Sequence, residues 1–341
     1  MHDLVIVIAD LYLPPAMQAA RDAAVLGGLP GVESLGRYGA RQRLASGWCD
    51  WLAGWLGRAD LIGAAPARLA AAAAQAQPQA ADTLWVATPV HLSAGLTRVH
   101  LEHQGLLHLN DEELAQLARE FNAAFAGSAF VLAPAACREL LLSAPESSDL
   151  SAVEPARRAG TALTHAAPQG AQGAQLRRLA AEIEMWLHNG ALNAQRTARG
   201  ALPVTTLWLW GAQGTPGPFA ERPGRPAAAF GCDARLAGLM ALGGSGTQDL
   251  PALLVPVLEC DAERALVVLH VGSELQENNA TTLAEALLEL DARYVVPALA
   301  ALAAGRLRTV TLVANDRALT AGRLSRLRLW RRARFGLEGL T

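Results

Sequence analysis

Three nearly uninterrupted apolar runs constrain this chain more than any other feature: Leu4–Ala9 (LVIVIA), Leu266–His270 (LVVLH) and Thr309–Ala314 (TVTLVA). Runs rich in β-branched residues, without clean polar alternation, suit strands buried on both faces, as in parallel sheets. Helical patterns occupy Ala16–Leu26, Ser46–Leu56, Ala234–Leu242 and Thr281–Ala304. Strand runs interleaved with helices predict an α/β fold, a three-layer core around a mainly parallel sheet. The first run ends at Asp10 and the last at Asn315-Asp316. Open α/β sheets carry their functional groups at such carboxyl ends.

The rhythm is interrupted in the middle of the chain. Residues 67–81 (ARLAAAAAQAQPQAA) read as an Ala-rich helix broken at Pro78 and followed by a linker. Beyond it come short strands at Leu84–Ala87, Thr97–Leu101 and Phe130–Leu132, with an amphipathic helix over Asp111–Phe125. Asn110 and Glu113 are spaced as a capping box for that helix. A polar connection over Pro145–Gly173 leads to a second helix at Leu176–Leu187, and a Gly200–Pro203 turn leads to a strand at Thr206–Trp210. The organisation expected is a core from residues 1–83 and 203–341, with a small α+β subdomain inserted over 84–202.

Composition removes several function classes. The 29 basic residues are all arginine, which excludes a lysine-containing phosphate loop and a lysine Schiff base. With 31 acidic residues the net charge is −2, so no global attraction to nucleic acid or anionic membranes is expected. Cys49, Cys137, Cys232 and Cys260 are far apart and form no CxxC pair, arguing against a structural zinc site or a disulfide framework. The first strand carries Asp3 and Asp10 with no basic leader, and no charge-free apolar run has the length of a membrane span. A cytoplasmic protein is the expectation.

Candidate site residues are few. Asp10 and Asp316 follow core strands, where they either hold a divalent metal or cap the following turns. His188, Asn193 and Arg196 lie within nine positions. They supply an imidazole, an amide and a forked guanidinium suited to a phosphate or carboxylate, or else a capped helix end. Ser46 is the best-placed hydroxyl for a nucleophile, without a recognisable motif around it. His91, His100, His103 and His108 form a cluster in sequence, but His100 and His103 fall on opposite faces of a strand. The Arg323–Arg334 segment (RLSRLRLWRRAR) reads as a solvated C-terminal helix.

Three stretches together resemble the cofactor-independent phosphoglycerate mutases of the alkaline phosphatase superfamily. Leu4–Asp10 is similar to the family's first strand ending in a metal-binding Asp, Leu29–Gly39 to its TPNLDxLAxxG stretch, and His188–Gly211 to its HPVNxxR segment. The elements TLWVATPVHLSAGLTRVHL, DEELAQLAREFNAAF and LWLWG resemble a bacterial offshoot, the RpfE-type regulatory proteins. The resemblance implies an alkaline phosphatase-like core and, in the active enzymes, two divalent ions with a serine nucleophile.

Departures from the family pattern decide what the resemblance implies for function. The nucleophile region reads SGWCDWLAGWLGRAD, placing Trp48 near the nucleophile position. The DxxxH metal pair is replaced by Gly272–Asn278, the later Asp-His pair by Asp316-Arg317, and the PAN asparagine by Thr205. With Asp10 and Asp316 the surviving ligands, two-metal chemistry lacks its donor set. A noncatalytic regulatory or anion-sensing protein follows, with no cofactor and a small phosphorylated or carboxylate ligand at His188, Asn193 and Arg196. The alternative is a metal-dependent phosphomutase or phosphatase using Mn or Zn, with Ser46, Glu274 or Glu277 recruited. Neither reading involves nucleic acid or membrane, and a protein partner stays open.

Overall fold

A computed structural model describes residues 2–13, 28–74, 82–95, 98–145, 152–163, 174–212, 219–277, 282–328, 332 and 336–341. The helix expected over 16–26, the Pro78 break, and most of the 145–173 and 329–334 stretches lie outside the described residues. The chain forms two compact units. The first comprises Met1–Ile62, Glu221–Cys232 and Gly243–Thr341; the second comprises Gly63–Ala220 and Asp233–Leu242.

With strands numbered in chain order, the first unit contains His2–Ile8 (β1), Ala40–Arg43 (β2), Ala228–Phe230 (β10), Thr247–Gln248 (β11), Arg264–Leu269 (β12), Leu307–Ala314 (β13) and Arg317–Gly322 (β14). They form one seven-stranded sheet in the order β11-β10-β12-β1-β13-β14-β2. All neighbours pair parallel except β14, which is antiparallel to both β13 and β2. The three apolar runs are thus the adjacent central strands β12, β1 and β13. Leu4, Ile6 and Ile8 pack with Val267, Leu269, Val310 and Leu312 beneath Leu287, Leu290, Tyr294 and Leu302 of the helical stretch from Leu283 to Ala303. On the opposite face Val5, Val7, Val268 and Val313 are each no more than 1% exposed. Each such side chain contributes roughly 1.5–3 kcal/mol. Burial on both faces is what the lack of alternation predicted, and the α/β class with a mainly parallel sheet is correct.

The reversal into β14 comes from two residues. Asn315 and Asp316 have φ of 48° and 52°, the left-handed pair of a tight hairpin turn, and Asn and Asp tolerate that region better than other residues with a side chain. In the helical stretch, Asp291–Val295 widens to a π turn just before Pro297, which has no N–H to return. The π turn directs Asp291 onto the Pro30–Tyr38 helix, where its two oxygens accept the Gly31 and Val32 N–H groups, each at 2.9 Å. A side chain at Gly31 would collide with that carboxylate.

The second unit holds Asp82–Val90 (β3), Ser93–Ala94 (β4), Val99–Leu101 (β5), Val131–Pro134 (β6), Leu140–Pro145 (β7), Thr161–Leu163 (β8) and Thr206–Trp210 (β9). A four-stranded antiparallel sheet, β6-β7-β3-β9, accompanies a small three-stranded one, β4-β5-β8. Leu114, Leu117 and Phe121 of the Asp111–Ala124 helix and Leu179, Ile183 and Leu187 of the Ala174–His188 helix join Trp85, Leu142, Leu207 and Leu209 in one core. The capping box at Asn110 and Glu113 is present as expected. The Pro66–Ala73 and Ala234–Leu242 helices pack closely at Gly238, where a side chain would strike the Leu69 carbonyl.

Two elements differ from expectation and two more were not anticipated. The TLWLW run is a strand, but it pairs antiparallel with β3 in the second unit instead of joining the parallel sheet. All five of its residues are buried, and two-sided burial does not by itself specify parallel partners. The expected C-terminal helix begins instead as a turn and a short 3-10 segment at Ser325–Leu327, with the Ser325 hydroxyl accepting the Gly322 N–H. Strands β2 and β7 carry little strand signal of their own: ARQR is wholly exposed, and the apolar stretch LLLSAP fits helix as readily.

Candidate functional site

The His188–Asn193–Arg196 trio lies in the second unit, divided between two helices. Asn189-Gly190 separates Ala174–His188 from Ala191–Ala198, so the three residues do not share one helical face. Asn193 is buried and its amide is fully used. Its Nδ2 donates to the carbonyls of Leu187 and Val204, both at 2.7 Å, and its Oδ1 accepts the Val204 N–H at 2.8 Å. The amide therefore ties the end of one helix to the chain entering β9.

Arg196 is also buried. Its Nε donates to the Leu202 carbonyl at 2.8 Å and its Nη1 to Glu113 Oε1 at 2.6 Å. Arg199 reaches the same oxygen at 2.6 Å from a more exposed position. Burial pushes the Glu113 carboxyl up, but the Asn110 N–H and the guanidinium groups of Arg196 and Arg199 outweigh it and hold the group below its ordinary value. The carboxylate that this guanidinium recognises is part of the fold. Glu113 was legible as a helix cap, but nothing in its spacing linked it to a residue 83 positions away.

A cavity of about 560 Å³ opens beside the trio, lined by Glu184, His188, Asn189, Asn193, Thr197 and Thr205 among others. Its lining includes one carboxylate and one imidazole but no guanidinium, so Arg196 does not face it. His188 is exposed at its rim. Thr205 accepts the Leu92 N–H and donates to the Val90 carbonyl. His91 Nδ1 lies 2.9 Å from the Pro203 carbonyl oxygen.

In the first unit the candidate carboxylates sit at strand ends as expected, each in a structural position. Asp10 is buried after β1, and its two oxygens accept the N–H groups of Val271 and Gly272, at 2.7 and 2.8 Å. Those are the opening residues of the Val271–Glu277 helix, so Asp10 caps that helix. Asp316 occupies the left-handed turn between β13 and β14. Glu274 is buried, with both oxygens 3.1 Å from Arg293 Nη1. Ser46 is exposed at the start of the Gly47–Trp55 helix, and Trp48 is buried within it. Among the described residues no group of three or more His, Cys, Asp or Glu side chains is arranged to hold a metal ion, the four histidines of the sequence cluster included. This donor set does not fit a two-metal centre, whose ions need several carboxylate and imidazole ligands.

The first unit is thus an α/β fold with a mainly parallel sheet, in which the strand-end carboxylate of Asp10 accepts backbone N–H groups. No protein-family model and no curated protein matches the chain. Among solved structures it is similar to the cofactor-independent phosphoglycerate mutase from Thermoplasma acidophilum DSM 1728, at 16% identity over 94% of this chain and 90% of that one, with a TM-score of 0.38. It is also similar to the PH0037 protein from Pyrococcus horikoshii, at 11% identity over 99% of this chain and 91% of that one, with a TM-score of 0.47. Neither likeness is close enough to speak to activity. Among the described residues no helix is long and apolar enough to cross a membrane.

Proposed function

We propose that this is a noncatalytic protein with a phosphoglycerate mutase-like sequence pattern, acting in regulation by binding rather than by turnover. The observation that carries this reading is the state of Asp10, whose two oxygens both accept backbone N–H groups of the helix beyond β12. These bonds fix the carboxylate on a helix start, and among the described residues no group of three or more His, Cys, Asp or Glu side chains could hold an ion. Arg196 supports the same view, because its guanidinium is buried against Glu113 and does not line the cavity where a phosphate would bind. Of the trio, His188 is the member exposed at the cavity, so an anion bound there would meet its imidazole.

Phosphoglycerate mutase and general phosphatase assays with Mn²⁺ or Zn²⁺ supplied test the proposal. Background rates under every metal condition are expected. Turnover that rises with metal and disappears in Asp10→Ala would establish the enzyme reading in its place.

A further inference from the structure

The first unit carries a second concave feature, unrelated to the strand-end carboxylates. A groove of about 1040 Å³ lies where β13 begins and β14 ends, beside the close of the Val296–Ala303 helix and the 3-10 turn at Ser325–Leu327. The described residues that line it include Arg308, Arg323 and Arg328 and no acidic residue. That bias is local, since acids outnumber arginines in the whole chain, 31 to 29. Leu324 and Leu327 line the same groove at 75% and 65% exposure, and Leu324 is the most exposed large apolar side chain among the described residues.

The cations are held in place by the fold. Arg308 is paired with Asp3 through two hydrogen bonds. Arg328 donates from Nη1 to the Tyr38 carbonyl at 3.1 Å, and the Arg323 guanidinium lies across Gly305, where an added Cβ would sit 3.1 Å from it. A guanidinium has five N–H donors, so the bond from Arg328 to Tyr38 leaves donors for a ligand. Asp3 neutralises Arg308, whereas Arg328 bonds a neutral carbonyl and Arg326 is exposed next to it, so these two keep the groove's edge positive.

We infer that this groove docks an acidic amphipathic helix of a partner protein. Exposed leucines set among arginines match a helix that presents an apolar stripe flanked by carboxylates. Size agrees: one helical turn, ~5 Å long and ~10 Å across, occupies ~400 Å³, so the groove receives about two turns. A bilayer is a flatter counterpart and does not fill a concavity. Single-stranded nucleic acid binding relies on aromatic platforms, and none of the described residues that line the groove is aromatic.

The test uses the full chain and a fluorescent amphipathic peptide of about 18 residues with leucine at i, i+3, i+4 and i+7 and glutamate elsewhere. Its comparators are the same peptide with lysine for glutamate, a scrambled glutamate peptide and phosphatidylserine-containing vesicles. Saturable binding of the acidic helix alone is expected, weakening with salt. The double variant Leu324→Asp/Leu327→Asp should lose at least about tenfold in affinity. Because both leucines are exposed, the variant should keep its unfolding midpoint, and Arg323→Glu should weaken binding independently. Equal binding of scrambled and amphipathic peptides, unchanged affinity in both variants, or capture by vesicles without the peptide would each overturn the inference.

Discussion

Arg196 donates from Nη1 to Oε1 of Glu113 at 2.6 Å, and the two side chains are only 6% and 9% exposed. The pair links the N-terminus of the Asp111–Ala124 helix to the Ala191–Ala198 helix. A residue that resembles a phosphate-binding arginine is therefore a strut of the second unit. Removing one member of a buried pair leaves an uncompensated charge, so Arg196→Ala should cost about 3–5 kcal/mol. Arg199, 55% exposed on the same carboxylate, should cost at most about 1 kcal/mol when replaced by Ala. Urea unfolding of the two variants checks the ordering, and equal losses would refute it.

The same carboxylate sets a pH dependence. Its folded-state pKa lies below the ordinary 4.5, so the stability it contributes is complete above that value and is lost as pH falls through the folded pKa. Asp3, held down chiefly by its hydrogen bond from Arg308, acts in the same direction. The stability gap between the native chain and Glu113→Gln should be wide at neutral pH and close in acid. A gap independent of pH would contradict the assignment.

Asp291 behaves in the opposite sense. Burial raises its pKa against the opposing Gly31 and Val32 N–H groups, so its ionised form carries a cost that protonation relieves. Relative to Asp291→Asn, the native chain should gain stability as pH falls through the raised pKa. Chemical denaturation of the two proteins across the acid range measures the slope, and a loss in place of a gain would count against this account.

Strand β6 is an edge strand of its sheet, and Asn122 covers part of that edge. The Asn122 amide donates to the Leu132 carbonyl at 2.8 Å and accepts the Leu132 N–H at 2.9 Å. Asn122→Ala removes both bonds from a buried residue at an edge, at a cost of about 1–3 kcal/mol. Faster hydrogen exchange of the Leu132 amide and increased light scattering on warming are expected. Unchanged exchange at Leu132 would show that the side chain does not guard the edge.

The parallel core was legible because its signal is local: LVIVIA, LVVLH and TVTLVA each state their burial within six residues. The Asn110–Glu113 cap was legible for the same reason. Pairing was not. TLWLW announces a buried strand, yet its antiparallel partner Val86–Val90 lies more than a hundred positions away and leaves no mark on the run itself. The site was legible only as a set of residue types. Asp10, Asn193 and Arg196 look the same in sequence whether they face a ligand or a backbone. Their partners Val271, Val204 and Glu113 decide between the two, and each is fixed by tertiary packing.

Asp10 as a helix cap has a direct energetic consequence. Asp10→Ala leaves the Val271 and Gly272 N–H groups without their acceptor, a loss of about 1–3 kcal/mol. Thermal unfolding should show a lower midpoint for the variant. An unchanged midpoint would mean that the carboxylate is not engaged as described.

Metal titration by calorimetry, with Mn²⁺ and separately Zn²⁺ added to the native chain and to Asp10→Ala, tests the central claim most directly. If the Asp10 carboxylate serves the backbone, neither protein binds metal stoichiometrically and the two titrations coincide. Saturable binding of one or two ions by the native chain, abolished in the variant, would contradict the account and restore a metal centre at the sheet's carboxyl edge.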